Sequence, residues 1–534
     1  MTATVRLAAE GDASQWLEIL KASTGDQLPG KDIAGLAWAA SQLDSENGHE
    51  TWIAESDGSV QATISFLKPV DANTNPVQNL GRSFFRRESH QNGSAEALLH
   101  RISQVGLERK QMIVARVAAA DNAQQILYEN LGYVCVGYQP AKHRLGGTHR
   151  GILFYLLPAN PVLVTRLPLS DSLSQISELA TLVLERIQVP TTLSVRDGVT
   201  GYPLDSDLAI HDAIFEDFEL WRVQAQASNP ALEVSSGFNR GAGLLRMNTP
   251  APLRAMLGQR DSEIVSGLVY FHDDQDQCVR IFDAFASDYL SVGPLLARAV
   301  KIAQDQLGAS YVEIDILMNA RRLLKSAEQL GFVPVAYLPA FSSCQGNFAD
   351  VVKMVKLDLA YVPEEIALTA QAAAVVKLID SSFHDLKGGI AIINLLRSLP
   401  IFTGLGDGEL RKFARLFHQK LYRENEPIFK KGDASNEAYI VLRGQVDILL
   451  DENSIPIASL QSGQVFGELA FLDGASRGAA AVAAKASILL VVQRNAFHEL
   501  VQTELHLGMM VLRNIAVDLS NKLRRTTHSK CFNS

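Results

Sequence analysis

Cysteine is scarce in this chain. There are four in 534 residues (Cys135, Cys278, Cys344 and Cys531), far apart, with no CxxC pair and no histidine at metal-ligand spacing. That pattern excludes a disulfide framework and a zinc site, and suits reduced thiols in a cytoplasmic protein. Long hydrophobic runs are missing too. No window reaches the ~18–20 uninterrupted apolar residues of a membrane-spanning helix, and a candidate such as Gly389–Leu396 is far too short. The start, MTATVRLAAEGDASQW, lacks a basic segment followed by an apolar one, so no secretory signal is expected. Positive charge is in deficit: 49 Lys and Arg stand against 58 Asp and Glu, a net charge of −9. A dedicated nucleic-acid binder carries a basic field, so neither nucleic acid nor membrane is expected as a partner.

What is present is the texture of a large globular protein. Apolar residues make up 47% and charged residues 20%, and the length implies roughly three to four domains. Two segments repeat: Leu131–Ala141 reads LGYVCVGYQPA, and Leu330–Ala340 reads LGFVPVAYLPA. Each follows a helical stretch and precedes a late apolar strand, Gly151–Leu157 or Val351–Leu357. Upstream, Val5–Leu20 and Val164–Leu179 both read as strand, polar turn and helix. Lys31–Leu43 reads as a helix, and Asp57-Gly58 marks a two-residue hairpin between Thr51–Glu55 and Val60–Leu67. Self-similarity on this scale predicts two copies of one α/β domain, at 1–160 and 161–360, the second carrying extra material near Thr191–Arg260. An Ala-rich helical connector follows at 361–398. From 399 to 525 short strands alternate with glycine turns, predicting a small β-roll with flanking helices. The expected fold class is therefore multidomain: α/β, then β.

The first chemical motif is the loop His90-Gln91-Asn92-Gly93-Ser94-Ala95 ahead of the helix Glu96–Lys110, followed by LYENLGY at Leu127–Tyr133. Backbone N–H groups of such a loop, with a helix N-terminus, suit a pyrophosphate, and small residues at Gly93 and Ala95 let the backbone approach it. The order of elements and these motifs resemble the GNAT superfamily of acyl-CoA-dependent N-acetyltransferases. The resemblance implies an acetyl-CoA cosubstrate held by His90, Asn92, Gly93, Ser94, Ala95 and Asn122, with Tyr128 protonating the departing thiolate. His90 stands where the family has Gln or Arg. A tyrosine, with a pKa near ~10, stays protonated at neutral pH and so can serve as a general acid. The bland reading of Tyr128 is a helix tyrosine packed on the sheet. The acceptor would be a small amine or a protein lysine. No general base is evident; Glu88 or a water are the alternatives. In the second copy Ala327 replaces the tyrosine, and Ser291-Val292-Gly293-Pro294 does not reproduce the loop, so that copy is expected to be silent.

The second motif is FGELAFLDGASRGAA, Phe466–Ala480. A guanidinium fork at Arg477 matches an anionic phosphate, and Gly467 with the helix start at Leu469 and Ala470 offers backbone donors. Together with Phe429–Asp433 and Tyr439–Gly444, this stretch resembles the cyclic nucleotide-binding domain of kinase regulatory subunits, channels and the cAMP receptor protein. The resemblance implies that Gly467, Glu468, Leu469, Ala470, Arg477, Gly478 and Ala479 surround a cyclic nucleotide, Glu468 taking the ribose 2′-hydroxyl. Ser476 and Gly478 depart from the family's Pro and Ala. The ligand is cAMP or cGMP; no Ser or Thr follows Arg477 to favour guanine, which gives cAMP the edge. The bland reading is an exposed Glu–Arg pair in an orphan β-roll.

Phe383–Lys387 resembles the phospho-acceptor box of sensor kinases but reads better as a capping or hinge helix. A transcription factor would need a helix-turn-helix beyond Arg525, where nine residues leave no room. Two classes stay open: an acyltransferase gated by a cyclic nucleotide, and a non-catalytic sensor or scaffold whose GNAT-like copies bind a partner or CoA without turnover.

Overall fold

Fourteen strands pair into one sheet in the N-terminal part of the chain. The computed structural model describes residues 3–24, 35–44, 49–67, 77–145, 148–169, 171–190, 193–196, 199–204, 207–228, 253–274, 276–288, 290–344, 347–358, 366–414, 416–434, 436–451 and 455–531. Parts of the expected Lys31–Leu43 helix, the 191–260 insertion and the 361–398 connector lie outside them. Packing divides the chain into two units, Met1–Phe383 and His384–Ser534.

The first unit opens with β1 (Thr4–Leu7), α1 (Ala13–Thr24), α2 (Leu36–Leu43), β2 (Glu50–Ser56), β3 (Ser59–Leu67) and β4 (Val77–Phe85). It continues through α3 (Ser94–Glu108), β5 (Met112–Ala118), α4 (Asn122–Asn130), β6 (Val134–Leu145) and β7 (Thr148–Leu157). A short α5 (Asn160–Leu163) and the ribbon β8 (Asp171–Ser172) and β9 (Ser194–Val195), with α6 (Ser174–Arg186) between them, lead onward. Then come β10 (Ala209–Ala213), α7 (Phe215–Ser228), β11 (Arg254–Arg260), β12 (Glu263–Asp273), β13 (Cys278–Ala286) and α8 (Val292–Asp305). β14 (Tyr311–Leu317), α9 (Arg321–Gln329), β15 (Val333–Cys344) and β16 (Asn347–Leu357) complete the sheet.

The strand order is β1-β2-β3-β4-β5-β7-β6-β15-β16-β14-β13-β12-β11-β10. Read inward from either end it is the same: an antiparallel meander, one parallel pair (β4 with β5, β13 with β14), then the last two strands exchanged. Asp57 and Gly58 both take positive φ, 54° and 73°, and turn the chain between β2 and β3 as a two-residue hairpin requires. The repeated segments become β6 and β15 and meet at the centre, where Gly137 faces Ala336. A Cβ on Gly137 would lie 2.2 Å from that of Ala336, so only glycine permits this approach. Both repeats end on an alanine in the left-handed region, Ala141 and Ala340.

The expected strand at the start of Val164–Leu179 is absent. Arg166 makes an isolated bridge to Phe348, and the two-residue β8 precedes α6. Pro161 and Pro168 lack the N–H that a ladder needs. The edge position that mirrors β1 is filled instead by β10.

The two halves are joined by buried charge. Gln139 of β6 donates to the Tyr311 hydroxyl (2.9 Å) and to the Glu313 carboxylate (2.6 Å). Lys142 lies 3.2 Å from Glu313 and 3.0 Å from the Cys278 sulfur, and His143 is paired with Asp276 at 3.0 Å. Behind them Asp315 accepts from Arg280 (3.0 Å) and Lys353 (2.6 Å). Burial alone would raise the Glu313 carboxyl, but Lys142, Lys353 and Arg280 hold it well below the usual carboxylate range.

Asp283 is a different case. It is buried on β13, and that burial pushes its carboxyl up to about 7 although Arg222 of α7 lies 3.7 Å away and pulls it down. The folded protein then keeps a proton that the unfolded chain releases above its ordinary value of 3.8, so stability falls as pH rises from there to about 7. Asp283→Asn is expected to remove that slope in urea unfolding between pH 5 and pH 8; a slope equal to wild type would rule out Asp283 as its source.

The second unit receives the end of α10 (Ala370–Ser398), the helix in which the division falls. α11 (Asp407–Ala414), β17 (Phe417–Tyr422), β18 (Pro427–Phe429), β19 (Glu437–Arg443), β20 (Gln445–Leu449), β21 (Ala458–Gln461) and β22 (Val465–Phe466) follow. α12 (Glu468–Asp473), β23 (Ala480–Ala483), β24 (Ser487–Gln493), α13 (Arg494–Thr503) and α14 (Leu505–Cys531) end the chain. The strands form two four-stranded sheets, β17-β24-β19-β22 and β18-β23-β20-β21. They close on Tyr439, Val441, Val446, Phe466, Leu489 and Val491. The helices pack outside through Leu396, Phe402, Phe413, Phe471, Phe497 and Val511. This is the expected β-roll with flanking helices.

Candidate functional site

In the second unit the cassette forms around Gly467. It caps α12 with a left-handed backbone, φ 75°, and a Cβ there would meet the Arg477 guanidinium at 2.6 Å. Glycine is therefore required both by the turn and by the arginine behind it. Arg477 is 3% exposed. Its Nη1 donates to the Gly467 carbonyl (2.8 Å) and its Nη2 to the Glu437 carbonyl (2.6 Å). The guanidinium lies over the Phe429 ring at 4.2 Å and near Tyr439 at 5.7 Å. Burial lowers its pKa from the ordinary arginine value.

The Gly432–Asp433 turn is fastened to the same point, for Gly432 N–H donates to the Arg477 carbonyl (2.8 Å) and Arg477 N–H to that of Asp433 (2.9 Å). Glu468 opens α12, half-buried, and lines an apolar cavity of ≈ 50 Å³ with Phe471, Phe497, Val511 and Ile515. Ala470 is buried, Leu469 is exposed, and Ala479 is half-buried. Gly478 is exposed, and a Cβ on it would meet nothing within 4 Å, so the family's alanine would fit.

The aromatic floor beneath Arg477 escaped the sequence reading. Tyr439 and Phe466 are cross-strand partners whose rings stack at 5.0 Å, with Phe429 tilted against both. The signal was one aromatic in each of β18, β19 and β22, but their convergence is a matter of pairing. Glu437 was also missed; its carbonyl holds the arginine while its carboxylate accepts from the Tyr439 hydroxyl and from Gln493.

In the first unit, β4 and β5 pair only from Val77–Asn79 against Met112–Val114 and then part. α3 begins beyond the end of β4. Gly93 caps it with φ 76°, and a Cβ there would meet nothing within 4 Å. Ser94 and Ala95 are fully buried, and the Ser94 hydroxyl has no hydrogen-bond partner. Asn92 is exposed, and its side chain accepts from Ser94 N–H at 3.0 Å. The His90 ring packs on Phe85 at 5.5 Å. An open glycine turn at a helix start suits an anionic group.

The other two predicted residues of this site lie on α4. Tyr128 is fully buried against Tyr133 (4.9 Å) and Tyr155 (5.9 Å). Burial raises its hydroxyl well above the ordinary tyrosine value, with the Ser83 side chain pulling the other way. Asn122 donates its amide to the Ala367 carbonyl at 3.2 Å. The segment before α10 is tied to α4 three times more: the Gln125 amide donates to the Ala367 carbonyl (3.5 Å), Thr369 N–H to the Gln125 side chain (3.1 Å), and the Thr369 hydroxyl to Glu129 (2.5 Å). Thr369 also caps α10, accepting from Ala372 N–H. The sequence hint was a threonine just ahead of an alanine-rich helix.

Among the described residues no group of three or more His, Cys, Asp or Glu could hold a metal ion, and no helix is long and apolar enough to cross a membrane.

Comparison with known proteins bears on the second unit. The cyclic nucleotide-binding domain family matches residues 419–504. The Cyclic AMP receptor protein of Thermus thermophilus is 31% identical over 132 residues, 24% of this chain and 59% of that protein. The cAMP-dependent protein kinase type II regulatory subunit of Drosophila melanogaster is 34% identical over 91 residues, 17% of this chain and 24% of that one. The chain thus spans about three fifths and one quarter of these relatives' lengths. The crystal structure of the Thermus thermophilus Catabolite Activator Protein aligns with 29% identity and a TM-score of 0.23, covering 25% of this chain and 62% of that one. The C-terminal unit carries a cyclic nucleotide-binding domain.

Proposed function

We propose that the protein is an acyl-CoA-dependent N-acyltransferase, transferring an acetyl group to an amine or protein lysine, under allosteric control by a cyclic nucleotide, cAMP in preference to cGMP. The observation that carries the transferase reading is the start of α3: a left-handed, open Gly93 backed by the partnerless Ser94 hydroxyl, next to strands β4 and β5 that part. In this reading the acceptor nitrogen attacks the thioester carbon and releases a proton to water, the C–S bond breaks, Tyr128 gives its proton to the departing thiolate, and the proton released from nitrogen restores the tyrosine.

Control runs through α10. Its cap, Thr369, bonds to the helix that bears Tyr128 and Asn122, and Ile392, Ile393 and Leu396 near its C-terminal end pack in the core of the nucleotide-binding unit. A ligand that favours one arrangement of that core over another shifts α10 and with it α4.

A second reading is a sensor that binds CoA without turnover. The enclosure of Tyr128 among Tyr133 and Tyr155, and the engagement of Asn122 by Ala367, favour it.

Acetyl transfer to a panel of amines and protein lysines, with and without cAMP, separates the two. The transferase reading expects turnover that responds to cAMP, falls about 100-fold or more in Tyr128→Phe, and loses only its cAMP response in Thr369→Val. Tight CoA binding with no turnover on any acceptor defeats it in favour of the sensor.

A further inference from the structure

The two halves of the large sheet differ sharply at the start of one pair of corresponding helices, where Gly93 caps α3 and Gly293 lies in the first turn of α8. α8 follows β13 as α3 follows β4, and α9 occupies the position of α4. At the start of α3 there is open space around Gly93 and an unsatisfied hydroxyl at Ser94. At the start of α8 there is chain. A Cβ on Gly293 would lie 2.2 Å from the Pro203 carbonyl oxygen and 2.9 Å from the Tyr202 Cβ. Gly201 is hemmed in less closely, a Cβ there lying 2.8 Å from the Gln329 side chain and 3.0 Å from the Ser326 hydroxyl. Tyr202 N–H donates to Ser326 Oγ of α9 at 2.7 Å, its ring lies under the Arg322 guanidinium at 4.2 Å, and only 4% of it is exposed.

We infer that Gly201-Tyr202-Pro203 is an internal plug, held by α9 and filling at the start of α8 the place that the first half leaves open at the start of α3, so that the second half takes no acyl-CoA. The chemistry supports the substitution. The peptide meets the helix start with a carbonyl oxygen, which is the partial negative charge that a helix N-terminus favours. The Tyr202 ring offers the Arg322 guanidinium a π face. Glycine at 201 and at 293 lets two backbones approach where any side chain would part them. The loss of Tyr128's counterpart, Ala327, then has no functional cost, because no thioester reaches that side.

The ligand part of this inference rests on the acyl-CoA reading; the plug itself does not. Hydrogen exchange on the full chain, read by mass spectrometry on the peptide holding Gly201 and Tyr202, tests the plug. Exchange is expected at least about 100-fold slower than an open loop and about tenfold faster in Ser326→Ala. Calorimetric titration with CoA is expected to give one equivalent per chain. Loop-like exchange at Tyr202, or two equivalents of CoA, overturns the plug. Slow exchange with no CoA bound upholds the plug and defeats the acyl-CoA reading of the first half.

Discussion

Arg477→Ala is expected to weaken cAMP binding by at least about 100-fold, measured by calorimetry. A fully charged hydrogen bond to an anion is worth about 1.5–3 kcal/mol, and a guanidinium offers a phosphate two of them. The same substitution also acts on the fold. It strips two hydrogen bonds from the Gly467 and Glu437 carbonyls and removes the group stacked on Phe429. A buried acceptor left unsatisfied costs about 1–3 kcal/mol, so the unit should also melt lower. Arg477→Lys separates the two effects: it keeps the charge and the aromatic floor but not the planar fork, and should lose affinity with less loss of stability. Affinity for cAMP that is unchanged in both variants rejects the pocket assignment.

Replacing Glu313 by Ala is expected to cost the N-terminal unit about 3–5 kcal/mol in chemical denaturation, the usual consequence of removing one partner from a buried ion pair. Glu313 receives Gln139 and lies beside Lys142 from β6 while sitting on β14, so its loss leaves a buried ammonium without that carboxylate and loosens the contact between the halves. The pH dependence has a definite sign. Glu313 is held below its ordinary value of 4.5, so its contribution is complete above that pH and is lost as pH falls through the lower folded value. The stability gap between wild type and Glu313→Ala should therefore be constant near neutrality and close in acid. A gap of under about 1 kcal/mol at neutral pH would mean that the network is solvated and worth no more than a surface pair.

Much of the C-terminal site was legible because its parts are nearly contiguous. Gly467, Glu468 and Arg477 lie within one turn and one loop, and the chemistry of each residue type is local. The turn at Gly93 ahead of α3 was readable on the same ground: His90–Ala95 is a single run. What could not be read was convergence. Phe429, Tyr439 and Phe466 form one floor only because β19 pairs with β22 and the two sheets close on each other. Thr369 reaches Glu129 across a sequence separation of 240 residues. The expected strand at Val164 failed for a related reason: apolar residues suggested it, but edge position is decided by which segment can offer a ladder, and β10 could.

By itself, the order of residues determined the repeat and the place of the glycine turns at Gly93, Gly432 and Gly467. Those follow from side-chain type and near-neighbour backbone geometry. Only the tertiary structure decided that the repeats meet face to face at Gly137 and Ala336, that charges from one half are buried in the other, and that Tyr202 lies against α8. Each is a contact between residues far apart in the chain, set by close packing of whole elements rather than by any local preference.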